Sequence, residues 1–502
     1  MPSMKFVWYT FSIMLAVTCS LVRAAELEVL PIIPGHNCHA AEQISENGRT
    51  IAGGAAVPFN RCGSGNYCTI SDPSHAVIWD STREMHTLTL PGDYMSQLRQ
   101  VSSDGRIVVG DSCKKCNDQC RTVVWTEGLG SVAVVGPGQT YTWPAPISVD
   151  GMTMMINNYE ANGPEYVWTH DQGFLVLLPD GDDYILNGSF RIAESGAAVA
   201  GISCGTAGCQ LFHWDRVNGL VPLGAPDGFP SGLSTYSVIE AISWDGSVIS
   251  LRACRSSQDC VRLFWTESEG YQSIDLPQDV SLIDTRLISR NNNAIDIVLS
   301  NEQGKREAAI WTMSDGLKRT PNGELGELIH LSDDGSVATL AETGWLTDPL
   351  TLWTVDENLL PTNISFVHST LSRDGSKLTG VSELVGVAAL YSKKQGLISL
   401  LLPGHASGSR TPSISGDGNS VVGTSCSGSE CKAVRWTAFG GVAVLEGIPS
   451  DSFVYTATDN GWNHTTFDGS KIVGSSGDGT SRKDAVVWSI DTIFQDSFEG
   501  DP

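Results

Sequence analysis

The chain has 502 residues, of which 41% are apolar and 17% charged, and 53 are glycine. This composition is too apolar for a disordered chain and richer in glycine than a helical one, so it indicates a turn-rich β protein. The net charge of −25 at pH 7 argues against nucleic acid and anionic lipid as partners, because both would be repelled. Calcium or a basic partner would suit this charge, although no motif indicates a calcium site or another cofactor.

Residues 1–24 are predicted to form a secretory signal peptide. An apolar run begins after Lys5, and Val22 and Ala24 place small residues at the −3 and −1 positions of a cleavage site. A retained anchor is the alternative, but the run is short for a spanning helix, and no later segment is apolar enough to span a membrane. Removing Lys5 and Arg23 from 31 basic residues leaves 29 against 56 acids, a balance of −27. We therefore expect a monomer that is secreted, extracellular or part of the cell envelope.

Ten copies of one motif follow, within a predicted repeat domain of residues 25–490. Each copy can be interpreted as four strands, a to d: strand a ends at an Ile-Ser pair, an Asp-Gly turn leads to strand b, Ala-x-x-Trp forms strand c, and a second turn leads to strand d. The turns begin at Ile44, Val101, Ile147, Ile192, Ile242, Ile288, Leu331, Leu371, Ile414 and Thr465.

Two residue types recur with the motif, and we interpret both as structural. A catalytic group is needed once, whereas a turn group is needed in every copy, so the aspartates are predicted to cap their own turns. The strand c tryptophans are predicted to pack between neighbouring copies. The aspartates are Asp104, Asp150, Asp245, Asp334, Asp374, Asp417 and Asp468, and the tryptophans are Trp79, Trp125, Trp168, Trp214, Trp265, Trp311, Trp353, Trp436 and Trp488, with Tyr391 in the eighth copy.

The two ends of the repeat domain complement each other. The segment LEVLPIIPG at residues 27–35 matches strand d, and the last copy ends in AVVWS at residues 485–489, which matches strand c. The sequence therefore predicts an all-β fold, a β-propeller of ten four-stranded blades closed by the N-terminal strand, which completes the last blade. An open solenoid and two fused five-bladed propellers are the alternatives.

Cysteine usage agrees with export. Removing Cys19 leaves twelve cysteines, and five groups fall between strands b and c of their copies, which is typical of disulfides in an oxidising compartment. A metal site made of His36, Cys38, His39 and Cys116 is the alternative for the last predicted pair. The predicted pairs are Cys62–Cys68, Cys113–Cys120, Cys204–Cys209, Cys254–Cys260, Cys426–Cys431 and Cys38–Cys116.

The motif S-x-D-G-x-x-V-V-G, followed by A-x-x-W, resembles the HAF family of bacterial extracellular repeats. The match covers nearly the whole mature chain, and ISGDGNSVVGTS and VSSDGRIVVGDS carry it best. Asn292 and Tyr391 depart from it by replacing Gly and Trp. The resemblance implies export and a repeat fold, and it implies no catalytic residues. The tail at 491–502 resembles short Ile-Phe-x-Asp-Gly-Phe-Glu endings of secreted proteins, with Ser497 in place of Gly.

Aromatic residues outside the repeat are the candidate ligand-binding residues, because exposed rings stack on sugars or anchor protein partners. Trp143, Trp462, Tyr141 and Tyr236 fall in predicted d–a loops, and Trp345 in a b–c loop, so all five are predicted on one face of a propeller. Another non-repeat tryptophan, Trp244, falls in an a–b turn on the opposite face.

We predict that the protein is a non-catalytic module that binds a glycan or an extracellular or envelope protein. No G-x-S-x-G, H-E-x-x-H or phosphate-binding Gly-Lys motif is present. A hydrolase or lyase acting on polysaccharide is the alternative, because propellers can bring carboxylates from different blades together at the channel. A structural envelope or matrix protein is a third hypothesis.

Overall fold

The fold was examined in a computed structural model, and the residues that it describes form β-strands and no α-helix. This confirms the predicted all-β class. None of these residues belongs to a helix that could cross a membrane. The described residues are 25–56, 74–115, 118–135, 142–158, 166–178, 182–206, 208–312, 314–321, 326–342, 348–354, 359–365, 369–382, 387–408, 412–428, 430–438, 440–449, 451, 453–456, 464–478 and 483–490.

The strands fall into ten units that follow the sequence repeat, preceded by β1 (Glu26–Val29). The first five units are β2 (Cys38–Ile44), β3 (Ile51–Ala56), β4 (Ser74–Trp79) and β5 (Met85–Thr87); β6 (Met95–Val101), β7 (Ile107–Lys115), β8 (Asp118–Thr126) and β9 (Gly130–Val134); β10 (Thr142–Ile147), β11 (Thr153–Asn158), β12 (Tyr166–Thr169) and β13 (Gly173–Val176); β14 (Asp182–Ile192), β15 (Ala198–Gly205), β16 (Gly208–Asp215) and β17 (Gly219–Gly224); and β18 (Val238–Ile242), β19 (Val248–Cys254), β20 (Cys260–Thr266) and β21 (Gly270–Gln272).

The remaining units continue the same order of strands. They are β22 (Val280–Asp284), β23 (Ala294–Asn301), β24 (Arg306–Thr312) and β25 (Gly316–Arg319); β26 (Glu327–Leu331), β27 (Val337–Ala341), β28 (Pro349–Thr354) and β29 (Leu359–Ser365); β30 (Thr370–Leu371), β31 (Lys377–Ser382), β32 (Val387–Ser392) and β33 (Gly396–Ser399); β34 (Ser407–Gly408), β35 (Ser413–Ile414), β36 (Ser420–Ser427), β37 (Glu430–Thr437) and β38 (Gly441–Leu445); and β39 (Phe453–Thr456), β40 (Lys471–Gly477) and β41 (Lys483–Ser489).

Each unit is an antiparallel meander, and the second to sixth units are separate four-stranded sheets. Single residue pairs link the others: Ile364 with Ser382 between the seventh and eighth units, Cys431 with Phe453 between the ninth and tenth, and Cys38 with Lys483 between the first and tenth. The tenth unit has only three strands of its own. Strand β1 pairs antiparallel with β41, with Leu27 opposite Trp488, and supplies the fourth strand. The sequence predicted this pairing from the two end segments.

Most of the apolar core lies between neighbouring units. Ile78 of the first unit packs with Trp125 of the second, for example. The tenth and first units share a cluster as well, in which Val487 packs with Trp79. Most strand c tryptophans are buried, as predicted, whereas Trp168 and Trp311 are only half-buried. The sheets are thin, so each unit depends on two neighbours to cover its two faces.

The Ser-x-Asp-Gly turns have one hydrogen-bonding pattern, well shown by the ninth unit. Ser415 Oγ donates to Asp417 Oδ1 over 2.6 Å and accepts from the Ser420 amide over 2.9 Å. The same carboxylate oxygen accepts from the Asn419 amide, and Gly418 has φ of 70°. Equivalent bonds form at Asp104, Asp150, Asp245, Asp334, Asp374 and Asp468. The predicted capping role of these aspartates is confirmed.

Candidate functional site

The a–b turns of successive units contact one another through their backbones. The Ser103 amide donates to the Val149 carbonyl over 2.8 Å, and the Val149 amide donates to the Glu194 carbonyl over 2.7 Å. The same kind of hydrogen bond joins the tenth unit to the first: the Phe467 amide donates to the Glu46 carbonyl over 2.9 Å. The turns therefore lie side by side, and the residue after the turn Ser is held next to its counterpart in the neighbouring unit.

We call the residues at this position, one from each unit, the crown residues; Ala193 stands in place of the turn Ser in the fourth unit and Thr466 in the tenth. The turn pattern uses the Ser, Asp and Gly but not the residue after the Ser, so turn chemistry leaves this position free to vary. The crown residues are Glu46, Ser103, Val149, Glu194, Trp244, Arg290, Asp333, Arg373, Gly416 and Phe467. They include two cations, three acids and two large aromatic rings on a common backbone frame.

Crown side chains reach beyond their immediate neighbours. Arg373 of the eighth unit forms an ion pair with Glu46 of the first, and its guanidinium lies 5.2 Å from the centroid of the Phe467 ring in the tenth. The ninth unit offers no obstacle because its crown residue is Gly416, where a Cβ atom would lie 2.2 Å from the Phe467 ring. The crown side chains thus converge from distant units.

A cavity of about 240 Å³ opens beside the crown and is lined by residues of the fourth to eighth units. Part of its apolar lining comes from the residue before the turn Ser in four successive units, namely Ile242, Ile288, Leu331 and Leu371. All four are half-buried. Because each comes from the end of strand a, the repeat itself places one aliphatic side chain per unit at this level.

Crown residues supply the polar part of the cavity. The Arg290 guanidinium lies 3.4 Å from the centroid of the Trp244 ring, and its Nη1 atom lies 3.5 Å from Asp333 Oδ2. Glu194 lines the same cavity and is exposed, and its carboxylate has no hydrogen bond or ion pair within the described part of the chain. Asp333 is therefore paired with Arg290, which also lies against the Trp244 ring, and Glu194 is the acid at the cavity whose carboxylate is free.

His330 completes the lining as a neutral group. Its Nε2 atom lies 2.9 Å from Ser369 Oγ, so it is hydrogen-bonded to the next unit. Burial lowers the pKa of His330 to about 4, because the charged imidazolium would lose its hydration. At neutral pH the charges around the cavity are then those of Arg290, Glu194 and Asp333, which sum to −1.

Of the five sequence-predicted aromatic residues, only Trp143 and Tyr236 lie within the described residues, so their grouping on one face stays a prediction. Trp143 was expected in a loop, but its backbone lies in β10 opposite Asn157, because strand a of the third unit starts earlier than the motif indicates. Tyr236 precedes β18 and is 56% exposed. Tyr141, Trp345 and Trp462 lie outside the described residues, so their role stays a prediction.

The crown was missed by the sequence interpretation, although one signal for it was present. Trp244 was noticed as a non-repeat aromatic in an a–b turn and was assigned to the face opposite the predicted site. The structure places it at the cavity, in contact with Arg290. Comparing the residue after the turn Ser across all copies would have shown a position that varies freely within a fixed turn.

Disulfides join strands b and c in four units, as predicted. They are Cys113–Cys120, Cys204–Cys209, Cys254–Cys260 and Cys426–Cys431. Cys38 is also disulfide-bonded, which removes its thiolate from the alternative metal site of His36, Cys38, His39 and Cys116. Cys62, Cys68 and Cys116 lie outside the described residues.

One group of side chains in the described ranges could hold a metal ion. Asp80, Glu84 and His86 each bring a ligand atom within 4.8 Å of the others. Asp80 Oδ2 lies 3.0 Å from His86 Nε2, while its Oδ1 accepts from the amides of Thr82 and Glu84. These bonds hold the c–d turn of the first unit, so the arrangement is explained without an ion.

No protein-family model and no curated protein matches the chain. Among solved structures, a eukaryotic initiation factor matches with 14% identity, a TM-score of 0.46 and coverage of 74% of this chain and 88% of that one. A prolyl endopeptidase matches with 10% identity, a TM-score of 0.36 and coverage of 74% and 55%. Hydrazine synthase of Kuenenia stuttgartiensis matches with 14% identity, a TM-score of 0.32 and coverage of 61% and 96%. Likenesses this weak carry no functional information.

Proposed function

We propose that the protein is an exported, non-catalytic ligand-binding module built as a ten-bladed β-propeller. Three observations support this architecture: the ten four-stranded units, the contacts of the tenth unit with the first, and the pairing of β1 with β41. The disulfides support export, because such bonds persist in oxidising compartments. The resemblance to HAF repeats has the same implication.

The binding site in this proposal is the cavity beside the crown, and the convergence of the crown residues is the observation that carries it. A structural repeat alone needs no particular side chain after the turn Ser. Instead, five successive units contribute different residues to one cavity, including Trp244, Arg290, Asp333 and Glu194. Ligand sites in proteins combine an apolar concave surface with a few placed polar groups, as this cavity does.

Binding of the signal-free, oxidised protein to a glycan array and to an array of capped peptides, with and without calcium, tests the proposal. We expect binding that is lost in Trp244→Ala and Arg290→Ala and kept in Tyr236→Ala, because Tyr236 lies outside the cavity. Circular dichroism and thermal unfolding would establish that each variant is folded.

Two results would contradict the proposal. Ligands retained by Trp244→Ala and Arg290→Ala but lost in Tyr236→Ala, Trp143→Ala, Trp345→Ala or Trp462→Ala would move the site to the predicted loop aromatics. Two blank arrays would favour a purely structural protein.

A polysaccharide-acting hydrolase is the second candidate, and one observation favours it. Glu194 and Asp333 come from different units and line one cavity, as a pair of catalytic carboxylates would. Turnover on a panel of polysaccharides and aryl glycosides that disappears in Glu194→Gln and Asp333→Asn would support this candidate. Absence of turnover across the panel would favour the non-catalytic binding module over the hydrolase.

A further inference from the structure

We infer that the cavity beside the crown accepts an apolar side chain from a partner protein segment that carries a basic group next to that side chain. The inference rests on the proposed binding function and assigns its ligand class. It follows from the size of the cavity, its apolar lining, its charge and the geometry around Trp244.

Size favours one side chain over a whole small molecule. Pockets for drug-sized ligands are typically about 300–1,000 Å³, and this cavity has a volume of about 240 Å³. Beside its polar groups, the cavity has an aliphatic part that includes Ile242, Ile288, Leu331 and Leu371, and this part can accept an apolar side chain. Burying a leucine-sized side chain there would contribute the main part of the affinity.

Charge favours a basic neighbour for that side chain. Arg290 is paired with Asp333, whereas Glu194 is exposed at the cavity without a partner in the described chain. A ligand ammonium or guanidinium would supply the missing partner of Glu194. The whole-chain charge of −25 would also speed the encounter with a basic segment at low salt.

The geometry around Trp244 disfavours a sugar. Carbohydrates use the open face of an aromatic ring for stacking, and here the Arg290 guanidinium lies 3.4 Å from the ring centroid. A sugar would first have to displace a cation that Asp333 also holds. An apolar side chain needs neither change, because the aliphatic lining is free of such contacts.

Three capped pentapeptides separate these requirements: Gly-Lys-Leu-Lys-Gly, Gly-Glu-Leu-Glu-Gly and Gly-Lys-Gly-Lys-Gly. Binding can be followed by fluorine NMR of the 5-fluorotryptophan-labelled full mature chain, with the Trp244 signal assigned from Trp244→Phe. We expect the lysine–leucine peptide to shift this signal and to bind at least about tenfold more tightly than either of the others.

Substituting the free acid is the second part of the test. Glu194→Gln should weaken binding of the lysine–leucine peptide by up to about fivefold, because an exposed ion pair is lost. Glu302→Gln is the matched control, since Glu302 is an exposed acid in the loop between β23 and β24, at the opposite end of the strands. It should leave the affinity unchanged.

Each opposite result overturns the inference. Equal binding of the glutamate–leucine peptide would show that the ligand needs no basic group. Equal binding of the peptide without leucine would show that it needs no apolar side chain. An unaltered affinity of Glu194→Gln would show that Glu194 does not pair with the ligand. If no peptide binds while an array glycan binds in a Trp244-dependent manner, the ligand class is wrong and the proposed site stands. If no ligand depends on Trp244, the proposed site is wrong as well.

Discussion

At the residue scale, a turn glycine can have two roles: it adopts a positive φ, and its missing Cβ atom leaves room for a neighbouring unit. Gly246 has φ of 82°, a conformation that side chains with Cβ atoms rarely adopt. A Cβ atom at Gly246 would also lie 2.2 Å from Ala198 Cβ of the preceding unit. Asn292 shows how the sixth unit manages without glycine, because it keeps φ at 63° and its amide donates to Ser247 Oγ over 3.1 Å.

Comparing Gly246→Ala with Gly270→Ala separates these two tasks. Gly270 belongs to the same unit and has φ of 70°, but nothing lies within 4 Å of its missing Cβ. We expect Gly270→Ala to lower the free energy of unfolding by about 1–2 kcal/mol through backbone strain alone. Gly246→Ala should cost about 1–3 kcal/mol more, because two units must move apart. Urea unfolding of both variants measures the difference.

A double variant provides the control. Adding Ala198→Gly to Gly246→Ala removes the atom that clashes, so the variant should recover the extra loss beyond the separate effect of Ala198→Gly. Equal losses in Gly246→Ala and Gly270→Ala would show that contact between turns contributes nothing to stability.

The strands and turns could be predicted from the sequence where a short motif marks them. The Asp-Gly turn, the apolar run of strand b and the tryptophan of strand c recur in one order, and the observed strands follow it. A bulge that recurs in strand a was not predictable. The register shifts after Ala41, Leu98 and Ile239, and the extra residue is Glu42 or Arg99 or Glu240. The same shift after Leu282 and Leu328 leaves the extra residue as Ile283 or Ile329. Because the extra residue is charged in some units and aliphatic in others, the sequence carries no common signal for the bulge.

The N-terminal strand region allows an element-scale prediction. Leu30 follows β1, is 1% exposed and packs against the first and tenth units, whereas its neighbour Val29 is 48% exposed. We expect Leu30→Ala to lower the free energy of unfolding by about 2–5 kcal/mol, since it leaves a cavity between the two units. Val29→Ala should change it by less than about 0.5 kcal/mol. Similar losses in thermal unfolding would mean that this segment does not hold the units together.

The whole molecule brings together residues that the sequence keeps far apart. Arg373 and Glu46 are separated by 327 positions, yet they form an ion pair. No local pattern joins them, and their contact depends on the path of the ten units. The all-β architecture of repeated antiparallel units could therefore be predicted from the repeat. The candidate site could not, because the crown is defined by the assembly of units and not by a motif.

Ionisable groups are concentrated where the tenth unit meets the first. His464 Nδ1 lies 2.9 Å from the Glu42 carbonyl. Glu42 and Lys483 are oppositely charged neighbours, and burial raises the pKa of Glu42 and lowers the pKa of Lys483. Burial lowers the pKa of His464 to about 4. Both the neutral imidazole and the imidazolium can donate an Nδ1 hydrogen to the carbonyl, but the charged form would lose its hydration in this buried junction. Burial therefore favours the unprotonated form of His464.

Acidification should therefore weaken this junction. The pKa of His464 is about 6.5 in the unfolded chain and about 4 in the folded one, so the unfolded state binds the proton more readily. Stability due to the neutral His464 is complete above pH 6.5 and is lost as the pH falls towards 4. Between pH 6.5 and 4.5 we expect the wild type to lose about 2 kcal/mol more than His464→Gln, whose amide can donate without titrating.

Urea unfolding of both proteins at several pH values measures this difference. Other titrating groups contribute equally to the two proteins, so the comparison cancels them. Parallel stability curves for wild type and His464→Gln would show that the histidine does not titrate in this way.

The pairing of Glu26 with Ser489 also has a consequence for the order of folding. Within a unit, strands meet over short stretches of chain, so these hairpins can form early. The strand at the start of the mature chain must wait for the last one to be made, and closing so long a loop costs about 5 kcal/mol of chain entropy. Until then β41 has a free edge, which is a template for pairing with other chains. The step most exposed to aggregation is therefore the final one, and it falls after the last strand of the chain has been made.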